Sequence, residues 1–312
     1  MIIITGTTGH IGNNLLRIMI SKGYDIKILL RQSGKAISDI KVKTAYGDIF
    51  DPVFLAKEIA LGDTLIHLAG FIDLSNRFLD ESVQINETGT KIIIDFCQTH
   101  QIRFIYTSSV DAIYREKSTL KIKEPCDFFP EKLHSNYAKT KAKATQYLYN
   151  KMTKEDMNAL ILYPSAVIGI HDYKPSAAGI EIQKSLKRKI FFYVKGGYNF
   201  IDVIDCCNAI ISGLDKNLSG SYILSGYNHL IKKFYEEINF FAQKKAIYFC
   251  IPGFLAKAFS RFVPGFSRMM IDAVLDNYQY DNTLMKKDLL EELTPFPATV
   301  EKTIRWFQNR TT

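Results

Sequence analysis

The sequence predicts an α/β fold: a doubly wound parallel sheet with a smaller, mainly helical C-terminal lobe. Three observations support this. Short β-branched runs alternate with helical patterns from Met1 to about Val167, the signature of parallel strands joined by crossover helices. The first run ends in three glycines spaced three apart, Gly6, Gly9 and Gly12, and a helical pattern with Leu15, Leu16, Ile18 and Met19 follows at once. Several later strands also end in small or hydroxyl residues, Ala69-Gly70, Ser108-Ser109 and Pro164-Ser165. Ligands of such sheets bind beyond the carboxyl ends of the strands, so these motifs converge on one crevice.

The first element, Met1-Ile2-Ile3-Ile4-Thr5, reads as a strand that runs into a tight turn and a helix N-terminus. That arrangement presents free N–H groups and the positive helix end to a pyrophosphate. Gly6 makes the turn, Gly9 lets the backbone approach the phosphates, and Gly12 lets the helix pack close to the strand. Thr8, His10 and Ile11 lie in the same turn. The alternative for a glycine triplet is an ordinary loop, and the strand before it and helix after it favour the nucleotide site.

A second strand, Tyr24 to Leu30, ends at Arg31, with Gln32, Ser33 and Lys35 behind it. A carboxylate here would hold the ribose hydroxyls of NAD, whereas a guanidinium suits a 2′-phosphate. The position favours NADP(H) over NAD(H), with a plain surface arginine as the alternative. After the next strand, Val42 to Tyr46, Gly47-Asp48-Ile49 places a carboxylate beside the adenine or simply closes a turn. The strand Thr64 to Leu68 then leads to Ala69-Gly70, where a cofactor can lie against backbone. His67 in that strand reads as a satisfied core histidine.

The strand Arg103 to Thr107 runs into Ser108-Ser109, and a later helix opens with Ser135-Asn136-Tyr137-Ala138-Lys139-Thr140-Lys141. Tyr137 and Lys141, four apart, lie on one helix face. A phenol of pKa ~10 is a poor acid–base at neutral pH, and a nearby ammonium favours its phenolate. The pair therefore suits proton transfer to a substrate oxygen, with a serine hydrogen-bonding the same oxygen as it gains charge.

Taken with these motifs, the chain resembles the extended short-chain dehydrogenase/reductases of the NAD-dependent epimerase/dehydratase superfamily, from Met1 to about Trp306. The motifs are Thr5 to Gly12, Gly47-Asp48-Ile49, His67-Leu68-Ala69-Gly70, Asn86 to Thr90, Thr107-Ser108-Ser109, Tyr137 to Lys141 and Tyr163 to Gly169. The resemblance implies a Rossmann-type sheet, Ser109 as the catalytic serine with Ser108 the fallback, Tyr137 as the acid–base and Lys141 as its partner on the nicotinamide ribose. Asn86 is placed in the helix before the serine strand, structural first. Tyr163-Pro164-Ser165 resembles the dihydroflavonol-reductase-like branch, whose members reduce carbonyls with NADPH. Nucleotide-sugar epimerases and dehydratases usually carry an arginine before the later aspartate, where this chain reads Tyr198-Asn199-Phe200-Ile201-Asp202. Dehydratases also carry an Asp-Glu pair, where this chain has Val110-Asp111-Ala112, with Asp111 read as a loop residue.

The expected activity is hydride transfer between NADP(H) and a carbonyl or alcohol carbon of a small, apolar substrate. The rivals are a nucleotide-sugar epimerase or dehydratase holding NAD, and a non-enzymatic NADP-sensing protein. The expected dinucleotide domain spans 1–170 plus about 199–225, and the substrate lobe about 171–198 and 226–312. A homodimer through the helices carrying Tyr137 and the region near Asn86 fits the family pattern.

Composition agrees. The 312 residues, 47% hydrophobic and 23% charged, suit a globular enzyme with a full core. The net charge of +8 comes from scattered lysines, which does not point to nucleic acid. Five cysteines without a Cys-x-x-Cys pair, no leader pattern and no apolar run near ~20 residues lead to an expectation of a cytoplasmic protein without a membrane span or a metal. The aromatic stretch Ile247 to Phe266 carries two basic residues. It reads first as lobe packing, then as a pocket wall, then as a membrane-touching segment.

Overall fold

The structure is a computed structural model, and it describes residues 1–73, 77–116, 121–259 and 268–311. Its centre is a seven-stranded sheet. In chain order its strands are β1 (Ile2–Thr5), β2 (Ile26–Leu30), β3 (Lys43–Tyr46), β4 (Thr64–His67), β5 (Arg103–Thr107), β6 (Ala159–Pro164) and, after the smaller sheets described below, β10 (Gly220–Leu224). They lie in the order β10-β6-β5-β4-β1-β2-β3, every pairing parallel. The order reverses at β1, between β4 and β2, and that switch point opens a crevice beyond the strand ends.

Alternate residues of each strand face opposite layers. Ile3, Leu29, Leu65, Phe104, Tyr106 and Ile161 join one buried cluster, and Ile4, Ile28, Ile66, Ile105 and Leu160 join the other. Against the second cluster pack α1 (His10–Ser21), through Leu15, Leu16 and Met19, and a helix reached later in the chain. Against the first pack α2 (Pro52–Glu58) and a longer helical run. That run comprises α3 (Leu79–Ser82), a π-helical stretch Val83–Gly89, and α4 (Thr90–Thr99). It is joined by α5 (Asn136–Lys154). Strands buried on both faces explain why β1, β4 and β6 read as near-continuous apolar runs.

After β6 the chain makes β7 (Ala166–Ile168), α6 (Ala177–Lys187), β8 (Ile190–Tyr193) and β9 (Gly197–Asp202) before α7 (Val203–Asp215), which packs on α1. Beyond β10 come β11 (Tyr227–Leu230), α8 (Ile231–Phe241), β12 (Ile247–Cys250), α9 (Gly253–Phe259), α10 (Arg268–Asp276) and α11 (Phe296–Thr311). Strands β11, β9 and β7 form a small sheet and β12 pairs with β8 in another. A third cluster, with Ile182, Phe191, Phe200, Phe234, Ile238, Val300 and Ile304, joins α6, α8 and α11 to these strands. The expected helices at Ile231 to Phe241 and around Val300 to Trp306 are present. The C-terminal region also holds β11 and β12, which a mainly helical reading passed over. Of the aromatic stretch, the part from Ser260 onward lies outside the described residues.

Candidate active site

The glycine-rich turn has the geometry its spacing predicts. Gly6 has φ of +76°, a left-handed conformation that favours glycine. A Cβ there would lie 2.4 Å from the Ala69 nitrogen. A Cβ on Gly12 would lie 2.3 Å from the Gly6 carbonyl oxygen, so α1 crosses the end of β1 with backbone against backbone. Gly9 caps α1 with no side-chain hydrogen bond, and the first turn holds no acidic residue. The free N–H groups of that turn and the buried, unpartnered Thr7 hydroxyl make a cradle for an anion. The residues present therefore fit a dinucleotide pyrophosphate.

Other predicted residues line up around this cradle or behind it. Arg31 is exposed at the end of β2. The following loop lies against the turn, since a Cβ on Gly34 would come within 3.0 Å of the Thr8 methyl. Asp48 accepts from the Phe50 amide at 2.9 Å, closing a turn, while Ile49 is buried. The His10 ring faces away from the cradle, Nε2 lying 3.0 Å from the Ile170 carbonyl. The Ile11 carbonyl accepts from the Cys207 thiol. Leu68 donates its amide to the Thr5 carbonyl. Tyr163 is wholly inside the core, leaving Pro164 and Ser165 at the end of β6, and the Ser165 hydroxyl is buried without a partner.

His67 behaves as a core histidine. It is fully buried, its Nδ1 lies 2.8 Å from the Thr5 hydroxyl, and burial pulls its pKa down to about 3, so it stays neutral.

At the end of β5 the two serines part. The Ser108 hydroxyl turns inward to the Thr145 hydroxyl at 2.7 Å, and Thr145 in turn donates to the Lys141 carbonyl at 2.6 Å. Ser109 receives the Asp111 amide at 3.1 Å and lies beside the Tyr137 phenol, whose pKa it pulls down. Tyr137 comes from the first turn of α5, capped by the Ser135 hydroxyl accepting from the Ala138 amide at 3.0 Å. One turn on, Lys141 donates to the Thr107 carbonyl at 2.8 Å and to the Tyr106 hydroxyl at 3.3 Å. A Cβ on Gly70 would lie 3.5 Å from the Lys141 nitrogen, so the amine sits at the mouth of β4. Asn86 fixes this edge structurally: it exchanges two 2.8 Å hydrogen bonds with the Phe71 backbone and reaches Thr140 at 3.3 Å.

The electrostatics depart from the sequence expectation. Tyr137 is pushed up rather than down, first by burial and then by Asp111, with only the Ser109 hydrogen bond pulling the other way. Burial lowers Lys141 to about 7, so its amine is only partly charged at neutral pH. The amine is turned toward the Thr107 carbonyl and the Tyr106 hydroxyl of β5.

Sequence reasoning also missed a cluster beside the phenol. The Tyr198 hydroxyl donates to Asp111 at 3.4 Å, and Arg115 lies 3.6 Å from the same carboxylate. Arg115 also donates to the Tyr280 hydroxyl and stacks 4.6 Å over the Tyr278 ring. These residues come from three separate segments, so no spacing in the chain connects them.

The model of the NAD dependent epimerase/dehydratase family matches residues 2–223. The chain belongs to that family. It is an enzyme of the extended short-chain dehydrogenase/reductase type that binds a nicotinamide cofactor. It is 31% identical over 205 residues to the "Putative dihydroflavonol 4-reductase" of Synechocystis sp., covering 65% of this chain and 59% of that one. It is 24% identical over 228 residues to the "Sterol demethylase protein B" of Methylococcus capsulatus, covering 72% and 69%. The crystal structure of gox2253 superposes with a TM-score of 0.84 at 22% identity, over 99% of this chain and 98% of that one.

Proposed function

We propose that the enzyme moves hydride between NADP(H) and a carbonyl or alcohol carbon of a small apolar substrate, with reduction favoured at neutral pH. The observation that carries this reading is the convergence of Tyr137, Ser109 and Lys141 at the end of β5, with the Ser109 hydroxyl acting on the phenol and the Lys141 amine facing Gly70. When bound, the nicotinamide supplies or accepts the hydride. Tyr137 protonates the substrate oxygen, and its raised pKa keeps it a phenol, the form that donates. Ser109 hydrogen-bonds the same oxygen as it gains charge. Lys141 holds the nicotinamide ribose. Thr8 and Arg31 would hold the adenosine 2′-phosphate, and Gly6, Gly9, His10, Ile11 and Gly12 would hold the pyrophosphate through backbone. Asp48, Ile49, Leu68, Ala69, Gly70, Asn86, Pro164 and Ser165 form the walls.

Substrate choice is assigned to the lobe of residues 171–198 and 226–312, including Tyr198, Tyr278 and Tyr280, with 1–170 and about 199–225 as the cofactor domain. The aromatic wall and the sterol-related relative support an apolar substrate. Calorimetric titration with NADP⁺ and NAD⁺ side by side tests the cofactor. NADP⁺ is expected to bind at least about tenfold tighter, from charge-assisted contacts of ~1.5–3 kcal/mol, and Arg31→Asp should erase the preference. Tighter NAD⁺ binding that survives in the variant would overturn the assignment and favour an epimerase.

A further inference from the structure

Strands β8 and β12 pair in parallel with Ile190 beside Ile247, Phe191 beside Tyr248 and Phe192 beside Phe249. Their inner face is ordinary. Phe191 is fully buried, its ring 4.9 Å from Tyr235 and 5.5 Å from Tyr248. The other face should be polar, because a sheet with one side in water alternates apolar with polar residues. Instead Ile190, Phe192, Ile247 and Phe249 are 46%, 50%, 58% and 49% exposed, and the two phenylalanine rings stack at 5.7 Å. Just beyond β12, α9 adds Phe254 and Leu255, also exposed. A contiguous apolar surface of this kind marks an interaction site.

Its charge identifies the partner. Residues 182–195 and 243–258 contain no Asp or Glu, yet hold Lys184, Lys187, Lys189, Lys195, Lys244 and Lys245, besides Arg188 and Lys257, which pair with Glu181 and Asp272. Lys184, Lys187, Lys189, Lys195 and Lys245 are exposed. Lys244 is turned inward onto the carbonyls of Ser185, Leu186 and Arg188 at the end of α6, and its pKa is lowered by burial first and the nearby Lys189 second. A second copy of the chain, placed on this face by a two-fold axis, would bring like-charged rims together. An anionic bilayer surface accepts both features: aromatic and aliphatic side chains enter the headgroup–acyl boundary while lysines meet the headgroups.

We propose that the β8–β12 face and the start of α9 dock the enzyme peripherally on an anionic lipid surface. No helix among the described residues is long and apolar enough to cross a membrane. The proposal does not depend on the substrate assignment or on the hydride chemistry.

Sedimentation of the full chain with vesicles tests it. Vesicles of equal parts phosphatidylcholine and phosphatidylglycerol should bind about tenfold more tightly than phosphatidylcholine alone, with binding weakened by salt. Phe192→Ser/Phe249→Ser should lower binding by about tenfold or more, as should the charge reversal Lys189→Glu/Lys245→Glu. Neither should alter NADP⁺ binding or the melting temperature beyond a few degrees, because these side chains face solvent. If Phe192→Ser/Phe249→Ser fails to fold, the lysine variant, which leaves the apolar face intact, decides alone. No binding to the anionic vesicles, or binding untouched by the lysine reversal, overturns the proposal. So does a dimer in sedimentation velocity that Phe192→Ser/Phe249→Ser dissociates, because the face would then be a protein interface.

Discussion

Lys141 gives the sharpest test of the site's electrostatics. Its side chain is 4% exposed, and burial lowers its pKa from 10.5 to about 7 without a carboxylate partner. Between those two values the unfolded chain keeps a proton that the folded chain has released. Stability due to this amine is therefore lowest below pH 7, where both states are charged, and rises with pH through the window. One pKa unit corresponds to ~1.4 kcal/mol, so the rise is ~1.4 kcal/mol per pH unit. At pH 7 the lysine costs the fold roughly 4 kcal/mol. Lys141→Met keeps the apolar stem and removes the charge, at the loss of the hydrogen bonds to the Thr107 carbonyl and Tyr106 hydroxyl, about 1–3 kcal/mol. The variant should be inactive yet more stable than the parent at pH 7 in urea unfolding. Its advantage should shrink by about 2 kcal/mol on going to pH 8.5. The buried thiols Cys97, Cys206 and Cys207, all pushed up by burial, cancel in this comparison because both proteins carry them. Parallel stability curves, with a difference that does not change with pH, would refute a depressed Lys141.

The two serines should separate cleanly. Ser108→Ala loses the buried bond to Thr145 and should cost about 1 kcal/mol of stability with turnover retained. Ser109→Ala loses its bond to the Asp111 amide, should also cost about 1 kcal/mol, and should lower kcat roughly 10²-fold; steady-state rates separate the two serines, and a larger loss of turnover in Ser108→Ala would exchange their roles. Gly12→Ala sets a Cβ 2.3 Å from the Gly6 carbonyl oxygen and should abolish cofactor binding in titration calorimetry, with stability down by about 1–3 kcal/mol. Gly62→Ala, whose Cβ would meet open space at φ of +88°, should cost only about 1 kcal/mol of backbone strain and leave binding intact.

What the sequence revealed and what it hid divide along physical lines. The β1 turn was legible because three glycines in a fixed spacing answer to backbone geometry within twelve residues. The α5 pair was legible because a helix brings Tyr137 and Lys141 to one face whatever surrounds them. Arg115, Tyr198 and Tyr280 were not legible, since they meet Asp111 only through the tertiary placement of β9 and the segment after α10. The environment of Tyr137 was not legible for a related reason. Spacing puts the amine one turn away, but it cannot say that burial and the Thr107 carbonyl turn that amine aside. Likewise β12 was hidden in an aromatic stretch whose composition suits a buried helix as well as a strand.

The placement of Asp111 leads to a last test. A carboxylate facing a half-buried phenol favours the protonated form, and Tyr137 is held up by loss of solvent first and Asp111 second. A raised pKa keeps the phenol protonated and leaves little phenolate to accept a proton, so alcohol oxidation should climb with pH well into the alkaline range while carbonyl reduction stays nearly level. Asp111→Asn removes the second cause and leaves the first. The alkaline limb of the oxidation profile should then move toward neutral pH, with a several-fold faster oxidation on the acid side of the limb. Because Asn still accepts from Tyr198, the wall of the site should persist, and the melting temperature provides the check. The same carboxylate also balances Arg115, whose guanidinium would be left nearer to Tyr137 without a counter-charge. That would push the phenol further in the same direction. An oxidation profile that stays in place, or moves to higher pH, would mean that Asp111 does not act on Tyr137 at all and serves only to hold Arg115 and Tyr198 in the wall.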